Sequence, residues 1–419
     1  MKLRSLSAVW VNPAFSAFLL ARLAGMLATQ IQAVVIGWQV YELTGEAMAL
    51  AYVGLAQFIP MLILLMPAGD LIDCYARKPI LMATWMVAAL CAVALWALAE
   101  YAAGAGESGK AAVLTGIYIT LVLFGCSRAF SAPTLQSLLP QIVPREQLAQ
   151  AIATNDMLMR AASIGGPLVG GLLYALGGGA LTYAVCAVCF LLGVGCLLPV
   201  TTRHAGPRST GTGNMWRRFG VGIRFIRQRP IILGAISLDL FAVLLGDVVA
   251  LLPIYAKEIL HVGPEGLGML RSAIAIGEVG AGLWLTMYPF NHTVGKRIFI
   301  AVAIFGAANL VFSLSCWFWL SFVALAVAGA ANMVSVYIRG ALLQFSTPDD
   351  MRGRVSAVNM LFIGSSNELG GFRAGTSAAG FGPAGAAVLG GLCTLGVVGL
   401  WLRFFPTLRQ VDKFEEASF

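Results

Sequence analysis

Long apolar runs alternate with short polar ones along almost the whole chain. A helix needs roughly 20 apolar residues to cross a bilayer. Twelve stretches come near that length: 15–41, 47–68, 79–103, 113–135, 151–177, 180–200, 230–256, 267–289, 297–315, 317–340, 354–380 and 383–405. The first reads as a span rather than a cleaved leader, because it is too long for a leader's apolar core and opens a series of similar segments. The pattern predicts an all-α integral membrane protein with twelve transmembrane helices.

Composition agrees with that class. Hydrophobic residues are 59% of the chain and charged residues 11%, against roughly 25% charged in a soluble domain. The net charge of +8 is explained by topology and not by nucleic acid. Lys2, Arg4, Arg77, Lys78, Arg145, Arg203, Arg208, Arg217, Arg218, Lys296, Arg297, Arg352, Arg354, Arg409 and Lys413 fall in alternate loops or tails, while the opposite side holds little beyond Lys110 and Lys257. Positive loops stay inside, which predicts cytoplasmic N and C termini and a multi-pass protein of the inner (cytoplasmic) membrane.

Residues 201–229 interrupt the apolar pattern. Gly, Ser, Thr and Pro dominate 201–214, the composition of a flexible linker. Residues 215–229 mix Arg217, Arg218, Arg224 and Arg227 with Trp216, Phe219, Ile223 and Phe225, as expected of a helix lying on an anionic leaflet. The expected organisation is therefore an N-terminal six-helix bundle (1–200), a cytoplasmic linker with a basic amphipathic segment (201–229), and a C-terminal six-helix bundle with a short tail (230–419).

The halves echo one another. Val34-Val35 to Tyr41 ends span 1, and Val248-Val249 to Tyr255 ends span 7. Leu135-Gln136, Pro144, Asn155 and Gly165-Gly166 recur in order as Leu343-Gln344, Pro348, Asn359 and Gly370-Gly371. Pseudo-symmetric halves of this kind are the pattern of a transporter whose site lies near the midplane.

A charge inside the bilayer costs several kcal/mol unless it faces protein or water, so each is a functional candidate. Asp239, Glu278 and Glu368 lie at midplane depth and Asp247 in the outer half of span 7; these are the proton-coupling candidates. A carboxylate that alternates between a buried setting and an arginine's neighbourhood can load and release a proton. Asp247 with Arg271 also reads as a permanent ion pair. Arg22, Arg128 and Arg339, with Gln30, Trp38 and Asn332, are the substrate-binding candidates. The run Gly69-Asp70-Leu71-Ile72-Asp73-Cys74-Tyr75-Ala76-Arg77-Lys78 joins spans 2 and 3. An anchor would need Arg77 and Lys78 but not Asp73. The carboxylate is expected to face the start of span 11, near Arg352 and Arg354, as a cytoplasmic gate.

Gly69, Leu71, Asp73, Arg77 and Lys78 resemble the loop signature G-x-L-x-D-R-x-G-R-K of the major facilitator superfamily, with Cys74 and Ala76 where Arg and Gly are usual. Gly165, Gly166, Pro167, Gly170 and Gly171 resemble the glycine-proline motif that its antiporters carry in helix 5. Asn12-Pro13-Ala14-Phe15, Met351-Arg352-Gly353-Arg354-Val355 and Ser366-Asn367-Glu368-Leu369-Gly370 are similar to the branch that holds enterobactin-type siderophore exporters and macrolide efflux proteins. The resemblance implies a proton-coupled exporter of a siderophore or amphipathic drug working by alternating access. A carrier for another small metabolite, possibly in uptake, is the second expectation.

An enzyme is not expected. The intramembrane charges are scattered over several helices, and no phosphate-binding GxxxxGK[ST] loop is present. Cys186 and Cys189 have metal-ligand spacing but sit in an apolar helix without a second ligand pair. No cofactor or metal is expected. The partners are a small-molecule substrate, protons and the lipid bilayer, with no nucleic acid, and the chain is expected to work as a monomer.

Overall fold

A computed structural model describes residues 13–104, 106–201, 215–290 and 292–414. Within helices, the side chains of 66, 70, 73, 107, 108, 145, 215–219, 349 and 350 are outside that description. So are Lys2, Arg4 and Asn12, and the linker as far as 214.

The described elements are helical. In order they are α1 (Pro13–Thr44), α2 (Ala47–Cys74), α3 (Arg77–Gly104), α4 (Gly106–Ile142), α5 (Leu148–Leu197), α6 (Met215–Gln228), α7 (Pro230–Gly246), α8 (Gly263–Met287), α9 (Val294–Leu314), α10 (Phe318–Phe345), α11 (Asp349–Phe404) and the single turn α12 (Pro406–Gln410). Among the described residues, nine helices are long and apolar enough to cross a membrane, where twelve spans were expected.

Three causes account for the difference. Spans 5 and 6 run together in the 50 residues of α5, and spans 11 and 12 in the 56 residues of α11. Each long helix breaks at glycine, at Gly177–Gly178 and at Gly382. Gly178 (φ 63°) and Gly382 (φ 74°) occupy the left-handed region that a side chain disfavours. The breaks fall where the apolar pattern left two or three residues between spans, so the chain turns without a loop. The third cause is α8, which carries Glu265, Arg271 and Glu278 along its 25 residues and falls below the apolar threshold.

The described residues of Met1–Thr44, Leu55–Gly211 and Pro264–Gly268 form one compact unit; those of Gly45–Gly54, Thr212–Gly263 and Met269–Phe419 form a second. In the first, Phe15, Phe18 and Leu19 of α1 pack with Leu81 and Trp85 of α3, Leu138 and Ile142 of α4, and Val194 and Leu197 of α5. In the second, Leu238 and Ala242 of α7, Ile298 and Val302 of α9, Ile338 and Leu342 of α10, and Val397 of α11 make the main core. The paired tyrosines of the internal repeat, Tyr41 and Tyr255, are both buried. The paired asparagines, Asn155 and Asn359, each bury a side-chain oxygen without a hydrogen-bond partner.

The segment expected to lie on the leaflet behaves differently. Ile226 of α6 is buried with Ile232 and Ile236 of α7, Leu343 of α10, and Val355 and Val358 of α11, with Ile223 and Phe225 against them. Protein covers that apolar face, because burying it against three helices removes it from water without requiring lipid. Arg224 and Arg227 stay exposed.

The tail after α11 is also docked. The Asp412 carboxylate accepts the Thr293 N–H (2.8 Å) and lies 3.1 Å from His292 Nδ1. These contacts hold its carboxyl below the ordinary carboxylate value. A depressed carboxyl stabilises the folded form above its unfolded pKa, roughly 3.9, and that contribution is lost as pH falls through the lower folded value. Hydrogen exchange at 406–414, corrected for its intrinsic pH dependence, is therefore expected to be flat from neutral pH down to about 5 and to rise only below about 4. A rise centred near neutrality would show that this carboxylate does not hold the tail.

Candidate functional site

The expected continuous span over 230–256 is broken. The α7 helix stops at Gly246, Asp247 turns to extended geometry (φ −64°, ψ 130°), and the chain resumes in short turns from Val249 to Ile259. A break inside an apolar span frees backbone carbonyls that lipid cannot satisfy. Side chains of the same unit take them. Asn309 of α9 donates to the Gly246 carbonyl (2.9 Å), and Arg373 of α11 donates to those of Leu244 (3.4 Å) and Asp247 (3.1 Å). The Asp247 carboxylate folds back to accept the Val249 N–H (3.1 Å).

Arg373 thus bonds the Asp247 backbone, and its charge acts on the Asp247 carboxylate beside that of Arg271, the partner expected from sequence. Arg271 of α8 is near by; its charge interacts with both Asp247 and Glu368, and its buried Nε has no hydrogen-bond partner. Glu368 of α11 lies beside Gly54, where an added Cβ would stand 3.3 Å from the carboxylate. Two carboxylates and two arginines from α7, α8 and α11 therefore gather at a helix break. Discontinuous spans with charged side chains are where transporters hold ions and substrates.

Two further groups sit in the same unit. Asp239 of α7 is 5% exposed and pairs with Arg339 of α10, itself 3% exposed. Ser335, one turn before Arg339, donates to the second oxygen of Asp239 (3.0 Å). Glu278 of α8 accepts from Asn332 of α10 (3.3 Å). The structure joins residues that the sequence had assigned to separate tasks. Arg339 and Asn332, proposed for substrate, are engaged by Asp239 and Glu278, proposed for protons, because i, i+3 and i, i+4 positions of α10 share the face turned to α7 and α8.

In the first unit, Arg22 of α1 interacts electrostatically with Asp156 of α5. Arg128 donates to Gln57 Oε1 (3.3 Å). Trp38 is buried edge-on against Tyr174, ring centres 6.5 Å apart. The glycine-proline motif is a contact surface. A Cβ on Gly166 would lie 2.5 Å from Gln30 Cβ, and one on Gly171 2.4 Å from the Pro264 carbonyl. Gly165 has open space, while Pro167 and Gly170 are buried inside the helix. Gly166→Val is expected to destabilise the protein by about 1–3 kcal/mol through overpacking. The readout is a lower melting temperature in detergent; an unchanged value would mean that α1 and α5 part freely.

Of the gate residues, Arg77 donates to the Ser137 carbonyl (2.9 Å) and Lys78 to those of Leu198 (2.8 Å) and Val200 (2.9 Å). Lys78 thus caps the C-terminal end of α5, where the dipole favours a cation, while Arg77 binds a carbonyl within the last turns of α4. Gly69 is half-buried in α2, and the side chain of Asp73 lies outside the description. Arg352 and Arg354 are exposed on α11.

Residues 5–418 match the family described as transmembrane secretion effector. The chain belongs to that family. The chain is 27% identical to the enterobactin exporter of Escherichia coli O1:K1 over 98% of its own length and 97% of that protein's. It is also 27% identical to the enterobactin exporter of Citrobacter koseri, covering 85% and 83%. Its fold is like that of a bacterial homologue of the iron transporter ferroportin (TM-score 0.71, 16% identity, 95% and 99% covered). It is also like a D-xylose-proton symporter (TM-score 0.68, 12% identity, 97% and 99% covered). The chain is a secondary transporter of the major facilitator fold and not an enzyme.

Several partners were not singled out from sequence. Ser335 carries no signal beyond its helical spacing from Arg339, and Gln57 has no charged residue at helical spacing. Gln39 is buried and accepts the Tyr183 hydroxyl (2.6 Å). Gln32, about two helical turns before it, is buried with both amide atoms unpartnered.

Proposed function

We propose that this secretion effector is a proton-coupled exporter of a siderophore or amphipathic drug, working by alternating access. The carrying observation is the cluster of Asp247, Arg271, Glu368 and Arg373 at the break after Gly246. Arginine near a buried carboxylate favours its ionised form and desolvation its neutral form, so a shift of Arg271 between Asp247 and Glu368 exchanges which carboxylate takes the proton. Asp239 and Glu278, already engaged by Arg339 and Asn332, are the further coupling candidates. Arg22 and Arg128 are the proposed substrate cations, with Gln30 and Trp38 on the same unit. The export direction and the siderophore class rest on the likeness to enterobactin exporters.

The proposed topology has twelve passes in two six-helix halves, in the cytoplasmic membrane, with both termini inside. Nine segments qualify outright among the described residues, α5 and α11 are each proposed to cross twice, and α8 to supply the remaining pass. At 1.5 Å per residue the 50 residues of α5 would run about 75 Å, more than twice the roughly 30 Å core, which supports a turn at Gly178. The segment 69–78, the end of α2 and the start of α3, is the proposed cytoplasmic gate, and the protein is proposed to act as a monomer.

The test is substrate accumulation in cells lacking the gene, with and without an uncoupler. Siderophore or drug retention that the wild-type gene relieves, and that uncoupler restores, supports export by proton antiport. Unchanged efflux together with impaired uptake of a metabolite would replace it with the second reading.

A further inference from the structure

The tail does more than end the chain. After Phe404 the backbone turns through Pro406–Gln410 and runs under the start of α9. Leu408 is fully buried, and its carbonyl lies so close to Gly295 that a Cβ there would approach within 1.9 Å. The Val411 and Asp412 carbonyls accept the N–H groups of Gly295 (2.9 Å) and Val294 (3.2 Å). Phe414 stacks on Phe345 and meets Tyr337 edge-on, both on α10. The tail is thereby a strap fixed at three points within the second unit.

The strap encloses a cavity of about 430 Å³. Lys296, on the first turn of α9, and Arg409, on the strap, both line it, with Thr293, Gln410, Leu402 and Pro406. Asp412 also borders it, but its carboxylate is committed to the Thr293 N–H and His292. Lys296 and Arg409 have neither a hydrogen bond nor an ion pair among the described residues. Two cations, neither of them in an ion pair, therefore share one cavity with the single Asp412 carboxylate, which leaves it net positive, and the positive end of α9's dipole adds to them.

We propose that this cavity binds the phosphodiester headgroup of an anionic phospholipid. A phosphate oxygen pair suits a Lys–Arg setting. The apolar lining separates a lipid from a free anion: Leu402 and Pro406 offer surface that a glycerol ester covers and inorganic phosphate leaves bare. The cavity also lies where an apolar helix ends, beside Phe404, which is 65% exposed. That is the level at which basic side chains meet anionic headgroups.

The experiment uses the whole protein, reconstituted in bilayers of equal phosphatidylglycerol and phosphatidylcholine, extracted in mild detergent and weighed intact by native mass spectrometry. The native protein is expected to retain phosphatidylglycerol over phosphatidylcholine. Lys296→Gln/Arg409→Gln is expected to lower that retention about tenfold. Melting temperature and gel filtration confirm its fold. Should the double variant misfold, Lys296→Glu changes one exposed side chain and is expected to lose retention too. Equal retention in either folded variant, or no preference over phosphatidylcholine, overturns the site. Displacement of the lipid by excess inorganic phosphate alone would make the ligand a soluble phosphate and overturn the lipid assignment.

Discussion

Arg339→Met is expected to destabilise the protein by about 3–5 kcal/mol, the cost of leaving a buried carboxylate unpaired. Asp239 is 5% exposed and its remaining partner would be Ser335, a neutral donor. Water does not reach the pair freely, so the lost attraction is not replaced by hydration. Asp239→Leu/Arg339→Met removes both charges together. Its cost is expected to be far smaller, because a well-packed apolar pair often equals or exceeds a buried ion pair in stability. Melting temperatures of the single and double variants in the same detergent read the difference. If the two fall equally, the ion pair is not what holds α7 to α10. The comparison also separates structure from coupling: a stable double variant that no longer exports would give Asp239 a role in the cycle.

Glu368→Gln is expected to reduce proton-driven export roughly 10- to 150-fold, the equivalent of losing one charged hydrogen-bonding interaction of about 1.5–3 kcal/mol. Arg271 would keep Asp247 as its remaining acidic partner, and the proposed exchange of protons between two carboxylates would stop. Substrate binding, measured by direct titration, should persist, since the substitution keeps shape and removes only the charge. Counterflow without a proton gradient should persist as well. Normal proton-driven rates in both Glu368→Gln and Asp247→Asn would remove this cluster from the coupling mechanism and turn attention to Glu278.

The apolar rhythm of the sequence was enough to define the class. Runs of about 20 apolar residues admit one solution in lipid, the helix, because each backbone N–H and C=O must be satisfied within the segment. The same rhythm located the turns at 177–180 and 380–383, where Gly178 and Gly382 now stand in left-handed geometry. Charges in apolar runs marked Asp239, Asp247, Glu278 and Glu368, since desolvation makes each of them costly wherever it points.

Which charge meets which lay beyond that reading. Partners come from helices far apart in the chain: Asp239 and Arg339 are 100 residues apart, and Arg373 and Asp247 are 126 apart. Helical periodicity fixes a residue's face only relative to its own axis. The rotation of α10 against α7, which makes Arg339 a partner of Asp239 and not a free substrate ligand, is decided by side-chain packing across several helices. The break after Gly246 was equally hidden, because an apolar run reads as continuous helix unless the carbonyls it would free find donors. Asn309 and Arg373 supply them, and only the folded chain brings them there. The sequence by itself determined the solvent, the helices and the residues that lipid would penalise. The tertiary structure decided their pairing, the broken seventh span and the strap that brings Arg409 beside Lys296, because each depends on groups that meet only through packing.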